Sequence, residues 1–83
     1  MNNNSIIDDL RTAMACVKEI IDKCDKGMEY AREGTKDVES EQERRECIEV
    51  YNQFRQHKRR LTGVMQDLKY ELQTFDGIRN IVG

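Results

Sequence analysis

The sequence predicts an all-α protein: an antiparallel two-helix hairpin, a helical coiled coil that dimerises into a four-helix bundle. Three observations carry this expectation. Apolar residues recur at alternating steps of three and four over two long stretches, the spacing that keeps one stripe of a helix against a partner helix. The chain has no proline and only five glycines, so little in it opposes helix. Between the two stretches lies one short segment, GTKDVES, built of turn and capping residues.

The first helix is expected over 6–33. Met1 to Asn4 are polar and offer nothing to bury. Ser5 with Asp8 resembles a capping box, and Asp8 and Asp9 suit the positive end of the helix dipole. From Ile7 the periodic positions are Leu10, Met14, Val17, Ile21, Cys24, Met28 and Ala31, every one apolar. Ile6, Ala13 and Ile20 widen that stripe on one side, so the face is broad enough for more than one neighbour. Gly27 falls inside the pattern, and Gly34 is expected to end the helix as a left-handed cap.

After a loop over 34–40, Ser40 with Glu43 forms a second capping-box pattern, and the second helix is expected over 41–76. Its seam reads Cys47, Tyr51, Phe54, Lys58, Leu61, Met65, Leu68, Leu72 and Phe75, with Lys58 the single charged interruption. Such a lysine either extends its ammonium to water or sets register at some cost in stability. Gly63 lies off the seam, where it permits close approach or weakens the helix, and Gly77 is the candidate stop. Ile78, Ile81 and Val82 follow as an apolar tail over 77–83. The whole chain is one domain.

The second helix is expected to be longer by about 12 Å at 1.5 Å per residue. Pairing outward from a loop over 34–40 sets Cys24 near Cys47 or Ile48, Ile21 near Tyr51, Val17 near Phe54, Met14 near Lys58, Leu10 near Leu61 and Ile7 near Met65. Leu68, Leu72 and Phe75 are then left without a partner in the chain. Each large apolar side chain left in water forgoes about 1.5–3 kcal/mol. The partner or oligomer interface is therefore expected at Leu68, Leu72 and Phe75, with Ile78 and Met65 beside them.

Charged residues make up 36% of the chain against an ordinary quarter or so, and apolar residues only 37%. That balance suits exposed helices better than a compact globule. The net charge of −2 argues against a general nucleic-acid coat. Arg55, Lys58, Arg59 and Arg60 form the densest basic cluster and are the candidate contacts for an anion or nucleic acid, although no stacking aromatic platform accompanies them. Three cysteines without a secretory leader fit a reducing, cytoplasmic setting.

No catalytic constellation is legible: no glycine-rich phosphate loop, no embedded nucleophile, no carboxylate pair in apolar surroundings. Cys16 and Cys24 stand about 12 Å apart along a helix, too far to share a zinc ion, and His57 has no companion at ligand spacing. No enzyme, cofactor or metal site is expected. The reading is a small protein-binding module, an adaptor, chaperone or inhibitor, acting through an apolar helical face as a homodimer or on another protein, with no membrane contact. A structural subunit of a larger assembly and a nucleic-acid-binding regulator using residues 55–60 are the alternatives.

Overall fold

The computed structural model describes the backbone of residues 3–82 and the side chains of residues 5–75. Two helices, α1 (Asn3–Asp37) and α2 (Glu41–Val82), pack against each other as a hairpin. The molecule measures 64 × 16 × 14 Å, with a radius of gyration of 18.7 Å, where a compact domain of this length has about 12 Å.

The ends of the helices differ from the sequence expectation, and each difference has a local cause. α1 begins at Asn3, so Ser5 sits inside its first turn rather than ahead of it, and no acid lies in that turn. α1 also runs through Gly34 to Asp37. No glycine of the described backbone has a positive φ, so neither Gly34 nor Gly77 acts as a left-handed cap. Glycine permits that conformation without requiring it, and beyond Gly34 the Thr35 hydroxyl donates to the Arg32 carbonyl (2.6 Å) while Lys36 pairs with Glu33 (3.3 Å). The start of α2 follows the sequence: the Glu43 amide donates to the Ser40 hydroxyl and the Arg44 amide to the Ser40 carbonyl. Glu41 and Glu43 occupy the first turn, where negative charge is favoured. α2 passes through Gly77 to Val82. The connection is thus residues 38–40 rather than 34–40.

Along α2 every seam position from Cys47 to Phe75 is at least half-buried, and every other residue with a described side chain is exposed. On α1 the seam positions from Ile7 to Ala31 are likewise covered, with Ile7 (1% exposed), Cys24 and Ala31 the only buried apolar residues among those described.

The register departs from the expected pairing. A Cβ on Gly27 would lie 2.7 Å from the Phe54 ring, and one on Gly34 would lie 3.3 Å from Cys47 Sγ. Asp25 Oδ1 meets Lys58 Nζ at 2.6 Å. These opposed pairs have residue numbers adding to 81 or 83. The expected pairs added to about 72, and ending α1 one helical turn early, at a loop over 34–40 instead of 38–40, accounts for about four of that difference. Cys47 therefore faces Gly34 and not Cys24.

On the observed register Leu68, Leu72 and Phe75 fall level with Met14, Leu10 and Ile7. They are half-buried, not an overhang clear of the first helix, and the near-complete burial of Ile7 shows the hairpin closed at that level. The side chain of Ile78 lies outside the described residues.

Candidate functional site

An antiparallel pair has two flanks, one on each side of its seam, and here their chemistry differs. On one flank α1 contributes the heptad row Ile6, Ala13, Ile20, Gly27 and Gly34, and α2 the row Glu43, Val50, His57, Val64 and Glu71. On the other, α1 contributes Arg11, Lys18, Asp25 and Arg32, and α2 Ile48, Arg55, Thr62 and Lys69. Shared recesses fix this assignment. Gly27, Gly34, Glu43 and Val50 border one; Arg32 and Ile48 border another, and Lys18 and Lys69 a third.

The first flank is the apolar one. Of the six large hydrophobic side chains exposed among the described residues, Ile20 (47%), Tyr30 (85%), Val50 and Val64 belong to it, while Ile48 lies on the opposite flank and Tyr70 on the back of α2. At its loop end a recess of about 530 Å³ opens between the helices, floored by Gly27, Ala31 and Gly34 and walled by Tyr30, Val50 and Phe54. The glycines create it: with no side chain at two successive heptad positions, α1 is locally flat, and Phe54 rests directly on its backbone at Gly27.

The second flank is mainly basic, and the cluster expected from the sequence divides between the two. Arg55 and Arg59 line a common recess with Asn52 and Gln56, and both border a further one with Lys58. Arg60, at the heptad position of Glu46 and Gln53, belongs to the apolar side. Lys58 is not free for a ligand. Its ion pair with Asp25, a side-chain hydrogen bond reinforced by Coulomb attraction, raises the lysine pKa above its ordinary value. Asp25 is the only acid in its row, so a slip of one heptad would set Lys58 against Lys18 or Arg32. Lys58 thus keeps its seam position by carrying its ammonium across to Asp25, in a pair that stays open to solvent, with the two side chains 40% and 48% exposed.

Cys16 is exposed, Cys24 buried and Cys47 half-buried, all three as free thiols. They lie at three different levels of the hairpin. No described group of three histidine, cysteine or acidic side chains is placed to hold a metal ion. No helix of the described residues is long and apolar enough to cross a membrane.

Met65, Leu68, Leu72 and Phe75, the expected partner interface, lie on the seam between the flanks. Sequence reasoning saw Ile6, Ala13 and Ile20 as a widening of the first stripe, but it missed that Gly27 and Gly34 continue the same row and that Val50 and Val64 face it. A seven-residue count from Ile6 would have found the glycines, and one from Glu43 the two valines. The chain matches no protein-family model, and comparison with curated proteins and with solved structures gave no match.

Proposed function

We propose that this protein is a small, non-catalytic protein-binding module, of the adaptor, chaperone or inhibitor kind, whose working surface is the apolar flank of the hairpin. The observation that supports the reading is the segregation of Ile20, Tyr30, Val50 and Val64 onto one side of the molecule. Scattered exposed apolar residues need no explanation, whereas apolar side chains gathered on one face, here as the pairs Ile20 with Val64 and Tyr30 with Val50, support an interaction surface. The strip is open and elongated, which suits a helix laid along it better than a small molecule. Two hairpins joined through such strips form a four-helix bundle, with Leu68 and Phe75 at the border of the joint and Met65 and Leu72 on the seam behind them.

Affinity purification of the full chain from its native host tests the reading. A stoichiometric protein partner is expected with the unaltered chain and is lost when Val50→Lys and Val64→Lys are combined. The Arg55→Glu, Arg59→Glu chain should retain it. Loss of binding only in the arginine variant, with nucleic acid in the purified material, would replace this reading with the polyanion one. That alternative has less support, because Lys58 is engaged by Asp25 and Arg60 stands on the other side.

A further inference from the structure

We infer that the outer face of α2 between Arg55 and Lys69 binds duplex nucleic acid through its phosphates. This face lies away from the apolar flank, so the inference does not rest on the protein-binding reading and adds a second surface to it. Charge, the neighbours of two arginines and an uncovered glycine each contribute an argument.

Residues 50–66 hold four bases and no acid, the longest acid-free run in the chain. This band carries +4 in a protein of net charge −2, so the rest of the chain carries −6. Two of the four bases are engaged elsewhere, Lys58 with Asp25 and Arg60 on the other flank. Arg55 and Arg59 remain. The ion pairs among the described residues are Lys23 with Glu19, Lys36 with Glu33 and Lys58 with Asp25, and neither arginine is in one. Four residues apart on the helix they are neighbours, where like charges repel. An oxyanion between two guanidinium groups replaces that repulsion with charge-assisted hydrogen bonds.

The two arginines border two recesses, of about 260 and 520 Å³, and no acidic side chain lines either. Asn52 and Gln56 stand beside them in the first, Thr62 and Gln66 in the second. Amide and hydroxyl side chains of this kind join arginine and lysine in holding phosphate oxygens. Lys69 continues the row of Arg55 and Thr62, so the donors extend over about 21 Å at 1.5 Å per residue. That is too far for one phosphate and suits a chain of them.

Gly63 lines the second recess, and nothing lies within 4 Å of the place its Cβ would take. Glycine weakens a helix interior, and no other part of the fold uses the room it leaves. Beside Arg59 that room lets a sugar–phosphate backbone come close to the helix, one of the uses of glycine. A single exposed tyrosine, Tyr70, accompanies the face. One ring is no stacking platform for successive bases, so the contacts favour a duplex over a single strand and carry no sequence information.

Fluorescence anisotropy of a labelled DNA duplex titrated with the full chain, with circular dichroism to check helicity, tests the inference. Three phosphate contacts, at Arg55, Arg59 and Lys69, should raise the dissociation constant about fortyfold between about 50 and 200 mM salt. Arg55→Gln combined with Arg59→Gln should weaken binding tenfold or more at the lower salt and remove about two-thirds of the salt dependence. Lys23→Gln combined with Lys26→Gln removes the same charge from α1 and should leave binding close to that of the unaltered chain. Gly63→Leu fills the open space without altering charge and should weaken binding severalfold, with helicity kept. No binding by the unaltered chain at the lower salt, equal loss in the arginine and lysine variants, or undiminished binding by Gly63→Leu each overturns the inference. Capture of phosphatidylserine vesicles in place of the duplex overturns it as well, in favour of a lipid surface.

Discussion

At the residue scale, glycines that look alike in the sequence have different jobs. Gly27 is a contact: a methyl group there would press on the Phe54 ring at 2.7 Å. Overpacking of that kind costs about 1–3 kcal/mol, set against a helix-propensity gain of about 1 kcal/mol. Gly27→Ala should therefore lower stability or at best leave it unchanged. Gly63 has nothing within 4 Å of its would-be Cβ, so Gly63→Ala should raise stability by up to about 1 kcal/mol. Chemical denaturation of the two variants beside the unaltered chain makes the comparison. Lys58 adds a pH signature. Its pKa is higher in the folded protein, chiefly through its hydrogen bond with Asp25, so folding favours the protonated form. That contribution is complete below the unfolded lysine value of about 10.4 and disappears as pH rises through the raised folded value. The melting temperatures of the unaltered chain and Asp25→Asn should accordingly differ at pH 8 to 9 and converge in strong alkali.

At the scale of the helices, amphipathic spacing located both elements, and a side chain set the start of α2. Ser40 accepts the Glu43 amide at 3.5 Å, a long and exposed bond. Ser40→Ala should cost about 0.5–1 kcal/mol, at the low end for a cap, and guanidinium melts read by circular dichroism will measure it. The two C-terminal ends were less legible because the expected stops rested on glycine alone, and the start of α1 lies ahead of the Ser5 cap expected for it. Gly34 and Gly77 sit in ordinary helical backbone, since nothing at those points forces the chain out of the helix. The consequence for Leu72 is large. As an uncovered interface residue it could be replaced with loss of association only. As a half-buried residue level with Leu10, its truncation should destabilise the hairpin itself. Leu72→Ala is expected to cost about 1–2 kcal/mol, less than for a fully buried leucine, and to lower the melting temperature even at concentrations where no association occurs.

For the whole molecule, the thin core is the governing fact. A hairpin 64 Å long has Ile7, Cys24 and Ala31 as its buried apolar residues among those described, so its stability is spread along a half-covered seam. The helical class, the seam residues of both helices and the basic cluster at residues 55–60 were fixed by sequence alone, because helix periodicity is a local property that needs no knowledge of the partner. The register belongs to the tertiary structure. Heptad patterns tolerate a slip of seven residues, and what removes that degeneracy is a set of unlike pairs: Phe54 over Gly27, Lys58 with Asp25, and a connection of residues 38–40. On that register Leu68, Leu72 and Phe75 are half-buried, and four of the six exposed large apolar side chains among the described residues, Ile20, Tyr30, Val50 and Val64, share one flank.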